Sequence, residues 1–278
     1  MTPNIRHQIA NTISRLCLFI FFLVLTSCQS GTSPRHDIFD PRPLVKEDIR
    51  TRRKIPDSHK VFLARFLPEI HKANNKILVK RNAILGLLDS LDQEVIGMQG
   101  YFDKLNSYLR EFRIDPVDPD TVKDPQSLLQ IFTSLLRRAD VVPVKLVMAQ
   151  AIIESGWGSS NFAREANNYF GMRCYSENCG MKPAGIDSSN FLVKVYPTEM
   201  AGIEDYLWTL NTGYAYRNFR RLRAQMRMQD EPLDPVKLSG GLIKYSENGD
   251  EYLEMVSNII RNYIPQDVDA LLASEDLR

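Results

Sequence analysis

The chain has 278 residues, 44% of them hydrophobic and 25% charged, with a formal net charge of +1. That is an ordinary folded protein of one or two domains rather than a core-poor, highly charged chain. A charge so near zero, with no long basic run, argues against a nucleic-acid partner.

The N-terminus predicts targeting rather than fold. Arg6 and Arg15 are the only charged residues before Cys28, leaving His7 aside, and Leu16 to Leu25 is an unbroken apolar run. A run of that length suits a signal-peptide core and is short for a membrane span. Leu25-Thr26-Ser27-Cys28 follows at once. It resembles the lipobox of bacterial lipoproteins, in which the cysteine is lipidated and becomes the new N-terminus. On this reading residues 1–27 are a signal peptide, and the membrane is reached through a lipid on Cys28. Residues 28–56, rich in Pro, Arg, Asp and Ser, are then a flexible tether. The remaining chain carries 33 basic against 34 acidic residues. Gln29 stands where an Asp would signal inner-membrane retention, so the expected location is periplasm-facing, on the outer membrane of a Gram-negative bacterium.

Asp57-Ser58 suits a helix cap. In the long helical stretch that follows, Ile70, Ile77, Ile84 and Leu91 recur every seven residues, and Pro68 predicts a kink or break. The accompanying heptad positions are not consistently apolar, which predicts a packed helix rather than a coiled coil. Tyr101, Leu105, Tyr108 and Phe112 share one face of the next helix, with Gly97 and Gly100 at the bend before it. Residues 57–120 thus read as a helical extension. IDPVDPDTVKDP at 114–125, with three prolines and four aspartates, marks the boundary. The main domain is assigned to residues 121–265 and a C-terminal tail to 266–278.

Leu128, Phe132, Leu135 and Leu136 open the second helical unit. AQAIIESGWG at 149–158 carries the candidate chemistry. Pro143 suits a first helical position, and Val144, Val147, Met148, Ala151 and Ile152 form a stripe at helical spacing. Gly156 is a natural stop, because glycine adopts the left-handed backbone without steric cost. Glu154 then lies in the last turn, at the negative end of the helix dipole and beside Trp157. Dipole and burial both disfavour its ionisation, and a carboxyl held protonated near neutral pH is a general acid. Ser159-Ser160 can cap a short helix ending near Ala166. The segment from Tyr169 to Pro197 changes character, with glycines, Cys174 and Cys179, and the strand-like Phe191–Tyr196. Cys174 and Cys179, in a chain expected to be exported, predict a disulfide. No histidine lies within a hundred residues of them, so neither a metal nor a cofactor is expected. Helices resume with Ile203, Tyr206, Leu207 and Leu210, then with Leu253, Val256, Ile260 and Tyr263. No histidine follows His71, so residues 126–265 cannot alone supply a Ser-His-Asp or Cys-His centre. No phosphate loop or dinucleotide fingerprint appears either. The plan is helices, a small β insertion, then helices, with a cleft suited to an extended polymer.

AQAIIESGWG, NNYFGM at 167–172 and FLVKVYPTEMAGIEDYLWTLN at 191–211 resemble the glucosaminidase domain of glycoside hydrolase family 73. NTGYAYRNFR at 211–220 and KYSENGDEYLEMVSNIIR at 244–261 also resemble the bacterial Bax-type proteins. The resemblance implies an α+β, mainly helical, lysozyme-like fold with a small β lobe. It implies hydrolysis of the β-1,4 bond after N-acetylglucosamine in peptidoglycan glycan strands. Glu154 matches the family's acid, and Tyr216, in Asn-x-x-x-Ala-Tyr, matches its cleft tyrosine. Trp157, Tyr169 and Phe170 match residues expected to bind substrate. The family's second carboxylate sits in the β lobe, where Glu177 and Asp187 are both candidates and no motif chooses between them. Inverting, retaining and substrate-assisted chemistry therefore stay open. Two rivals stand beside this reading: a lytic transglycosylase on the same fold, and a non-catalytic peptidoglycan-binding lipoprotein.

Overall fold

The computed structural model describes residues 56–91, 98–122, 124–183, 190–245, 249–265 and 268. The expected signal peptide, lipobox and tether, together with Gly97 and Asp187, lie outside the described residues. Residues 53–278 form one compact unit. The fold is α+β and mainly helical, as the hydrophobic patterning predicts.

The spine is α1 (Asp57–Asp89), a 33-residue helix that spans about 50 Å. Asp57 does not cap it; it sits in the first turn and pairs with Lys60 at 2.9 Å. Pro68 does not end it either. Interior proline costs about 3 kcal/mol. Phe66, Leu67 and Ile70 beside it are fully buried, and each such burial contributes about 1.5–3 kcal/mol. Packing thus outweighs the break signal.

The N-terminal half of α1 and its C-terminal half serve two cores. Ile84 and Leu87 pack with Phe102, Leu105 and Leu109 of α2 (Gln99–Glu111) and with Leu128, Phe132 and Leu135 of α3 (Gln126–Arg138). Phe62, Phe66, Leu67 and Ile70 pack with α4 (Val144–Ser155) and α6 (Glu199–Thr212). The proline-rich segment between α2 and α3 is tied down: the Asn106 side chain both donates to and accepts from the Val117 backbone, at 2.8 and 2.7 Å. A short α5 (Asn161–Ala166) follows α4, with Ser160 accepting from the Ala163 N–H. After α6, a 3-10 turn at Tyr214–Tyr216 leads into α7 (Arg217–Met228). Next come α8 (Pro235–Ser239), a second 3-10 turn at Gly240–Tyr245, and α9 (Gly249–Asn262), which packs on α4.

The small lobe is an antiparallel sheet in the order β1-β3-β2, with β1 at Arg173–Cys174, β2 at Gly180–Met181 and β3 at Leu192–Lys194. A Cβ at Gly180 would lie 2.0 Å from the Val193 carbonyl oxygen, so only glycine permits this pairing. Cys174 and Cys179 form a disulfide that closes the turn between β1 and β2. A loop this small gains less than the ~3 kcal/mol estimated for 15 residues, so the bond orders the lobe locally. Reduction should therefore lower activity while the helical circular dichroism persists, since both cores lie among helices. Full alkylation of both thiols in native, unreduced protein would refute this.

A polar hub ties the helices together where α3 meets α4. The Asp140 carboxyl, buried to 2% exposure, contacts Arg227 at 3.0 Å, with Arg81 at 3.7 Å and Arg223 at 3.8 Å. Arg223, also fully buried, donates to the carbonyls of Asp140, Val141 and Arg137 and to Asn211 Oδ1.

Candidate active site

Glu154 sits in the last turn of α4. This helix is covered on almost every side rather than along one stripe: Leu146, Ala149 and Gln150 are buried as well as Val147, Met148, Ala151 and Ile152. Pro143 precedes the first helical residue instead of occupying it. Gly156, Trp157 and Gly158 then take three successive left-handed conformations, with φ of 56°, 59° and 75°. The left-handed backbone costs a bulky residue about 1–2 kcal/mol. Trp157 is held there by stacking on His59, ring centroids 3.6 Å apart, and by edge contacts with Phe62 and Tyr263. The turn is locked by Ser155, whose buried hydroxyl donates to the Ala151 carbonyl and accepts from the Gly158 N–H at 2.8 Å.

Glu154 is exposed at the helix end, yet enough protein lies around its carboxyl to desolvate it in part. Burial raises its pKa above the ordinary value; a hydrogen bond from Tyr252 and the charge of Arg173 oppose without cancelling the effect. The surroundings are phenolic. Tyr206, Tyr216, Tyr245 and Tyr252 all have raised pKa values, chiefly through burial, and the Glu154 charge contributes in each. Tyr245 stacks on Tyr252 at 5.5 Å and abuts Tyr216 at 6.1 Å. A directed hydrogen-bond chain supports the acid. The Tyr206 hydroxyl donates to Gln150 Oε1, and Gln150 Nε2 donates to the Tyr252 hydroxyl at 2.7 Å. The Tyr252 proton is thereby turned toward Glu154. Tyr252 thus engages the Glu154 carboxyl.

The NNYFGM loop supplies the opposite wall. Asn168, 2% exposed, donates to the carbonyls of Met172 and Lys194 and accepts from the Met172 N–H, each at 2.9 Å. This clamp presents Gly171, at φ +64°, to the acid: a Cβ there would lie 3.8 Å from Glu154 Oε2. The motif's glycine thus keeps the carboxyl's surroundings open and meets a backbone conformation that side chains resist.

The remaining sequence candidates fall into different places. Tyr216 belongs to the cluster. Tyr169 and Phe170, expected to bind substrate, are each 3% exposed and form part of the core instead. Phe170 stacks on Tyr206 at 3.9 Å, and the Tyr169 hydroxyl donates to Glu199 and accepts from Arg65. They hold the loop from behind. Trp157 has one face covered by His59, so packing is its visible work. Glu177 is exposed in the disulfide-closed turn. Asp187 lies outside the described residues.

Residues 129–264 match the glucosaminidase family, described as mannosyl-glycoprotein endo-beta-N-acetylglucosaminidase. The chain is also 30% identical to protein bax of Escherichia coli (strain K12) over 203 residues, covering 72% of this chain and 69% of that protein. The chain belongs to the glucosaminidase family. No solved structure is significantly similar to it. In this glucosaminidase domain, Tyr252, Tyr245, Gln150 and Arg173 belong to the surroundings of Glu154 and are candidates that motif reading misses. Tyr252 had a detectable signal. With Val256, Ile260 and Ile264 it forms a four-residue repeat, all buried, whereas Leu253 is only half-buried.

Proposed function

We propose that the chain is an endo-β-N-acetylglucosaminidase cutting the β-1,4 bond after N-acetylglucosamine in cell-wall glycan. Glu154 protonates the leaving oxygen as general acid. The observation that carries this reading is the raised pKa of a solvent-accessible carboxyl inside a tyrosine cluster, in a chain of this family. Tyr252 holds the carboxyl by a hydrogen bond, and Tyr216 positions sugar or water beside it. Glu177 and Asp187 remain the candidates for the second carboxylate, and their separation from Glu154 during turnover would set inversion against retention. The chemistry requires neither metal nor cofactor.

Mass spectrometry of purified peptidoglycan after digestion tests the proposal. A reducing N-acetylglucosamine end is expected. An anhydro-muramic end would assign the chain to lytic transglycosylation, and binding without any new end would make it a scaffold.

We further propose that the enzyme works at the periplasmic face of the outer membrane, held by lipid on Cys28. The support is Leu25-Thr26-Ser27-Cys28 after the apolar run. Cys28→Ser should release or mislocalise the protein while leaving its hydrolytic activity in place. Retention in the salt-washed membrane fraction without lipid label would show that the lipobox reading is wrong.

A further inference from the structure

A cleft of about 650 Å³ is lined with arginine. Its walls are the C-terminal end of α3, the start of α7 and the two 3-10 turns, which contribute Tyr214, Ala215, Gly241 and Ile243. The same two turns carry Tyr216 and Tyr245, which sense the charge of Glu154. Cleft lining and tyrosine cluster are therefore built in part on the same two short turns.

Arg137, Arg138, Arg217, Arg220 and Arg221 all line this cleft. Arg138 and Arg220 are fixed by backbone carbonyls: Arg138 donates to Phe112 and Arg113, Arg220 to Leu210 and Gly213. Arg217 lies over the Tyr214 ring at 3.8 Å, and Arg221 donates to Asn218. Among the described residues, none of the five has a carboxylate within ion-pair distance; Asp115 acts on Arg138 only at longer range. This contrasts with Asp140, which gathers three arginines around one carboxylate. In a chain whose formal charge is only +1, five guanidiniums in one cleft, none ion-paired among the described residues, are a concentrated field. The cluster also strains itself. Burial lowers the Arg220 pKa to about 10, and Arg138 and Arg217 add to the shift. A concave surface of one sign draws in counter-charge, and planar guanidinium pairs well with carboxylate.

We propose that this cleft receives the carboxylates of the peptides carried by the glycan strand, making peptide-bearing glycan the preferred substrate. The inference rests on the cell-wall reading above. The position favours a group tethered to the substrate over a free anion. A glycan seated at Glu154 holds its own peptides near these two turns, at high effective concentration. The volume fits a short peptide segment and far exceeds a single small anion.

Binding by the full-length Glu154→Gln protein provides the test, because it is read without cleavage. Soluble glycan fragments are compared by calorimetry before and after enzymatic removal of their peptides. Peptide-bearing fragments should bind at least about tenfold tighter, a difference that salt weakens. Adding Arg137→Gln, Arg217→Gln and Arg221→Gln should abolish the preference, whereas Lys104→Gln with Arg110→Gln on α2 should retain it. These three arginines are exposed and their side chains fix no backbone carbonyl. If the triple variant nonetheless misfolds, the single charge reversal Arg217→Glu reads the same loss. Equal binding of both fragments, or a preference that survives the triple variant, overturns the proposal. So does arginine-dependent binding to phosphatidylglycerol vesicles without any peptide preference, which would assign the cleft to a phosphate-bearing surface. A wild-type protein that never cuts glycan sinks the hydrolase reading, and this binding comparison still decides the cleft.

Discussion

Glu154→Gln should lower activity on purified peptidoglycan by at least about a hundredfold, since a positioned acid contributes about 10²–10⁴-fold. That corresponds to roughly 3–5.5 kcal/mol of barrier. The amide keeps the size of the side chain and can still accept from Tyr252, but it has no acidic proton to give. Stability should move the other way or stay level. A carboxyl whose folded pKa is raised binds its proton more tightly in the native state than in the unfolded one. It therefore weakens the fold as pH rises from the ordinary glutamate range through the raised folded value. At neutral pH the glutamine variant should melt at or above the parent, and any gap should close as the pH drops below that range. Near-full activity in a folded Glu154→Gln protein would place the acid elsewhere.

The same site predicts a direction for the pH profile. The acid must be protonated to act, so activity falls on the alkaline side as Glu154 ionises. Tyr252 lowers the Glu154 pKa by hydrogen bonding to the charged form. Tyr252→Phe should consequently shift the alkaline limb of kcat/KM to higher pH, even while the lost hydrogen-bond chain lowers the maximum. A phenylalanine that merely loosened packing would reduce the rate without moving the limb. Tyr216→Phe should cost less than Glu154→Gln if that tyrosine only positions sugar or water.

The place of Glu154 in the last turn of its helix was legible because its signals are local: an apolar helix, a glycine stop and a tryptophan within a few residues. Tyr206 was also legible as a buried stripe residue, but not its hydrogen bond to Gln150, because partners 56 positions apart leave no spacing to read. The tyrosine cluster is drawn from α6, α9 and the two 3-10 turns, so tertiary packing, that of α9 on α4 included, assembles it. The burial of Tyr169 and Phe170 was not legible for a related reason. A motif fixes residue types beside an active site without saying which way they face, and the Asn168 clamp turns these two inward. Pro68 shows the limit of local propensity, since buried aromatic and aliphatic neighbours outweighed it. The isolated charge of Asp140 gave no hint of a hub, because its arginine partners come from two distant places in the chain, Arg81 on α1 and Arg223 and Arg227 on α7.

That hub should be the most destructive place to cut for stability. Arg223→Met removes one guanidinium from Asp140 and leaves the Asn211 oxygen and three carbonyls without this donor. Breaking a buried ion pair by removing one partner costs about 3–5 kcal/mol. In a domain of this size each kcal/mol shifts Tm by about 2–4 °C, so a fall of about 6–20 °C is expected. Burial alone would raise the Asp140 pKa, but Arg223, Arg227 and Arg81 outweigh it and hold the carboxyl below its ordinary value. The associated stability is thus complete above the unfolded carboxylate pKa of about 3.9 and is lost as pH falls through the lowered folded value. With Arg223 gone, Asp140 should titrate higher. The Tm gap between parent and variant should then be widest near neutrality and narrow in acid, where Asp140 is protonated in both. The unpaired carbonyls are indifferent to pH, so whatever gap persists in acid measures their share. Because α6, the Tyr214–Tyr216 turn and α7 all hang from this hub, glycan cleavage should fail at a lower temperature in the variant as well. A variant that melts with the parent across the whole pH range would show that the hub is not what holds this side of the cleft.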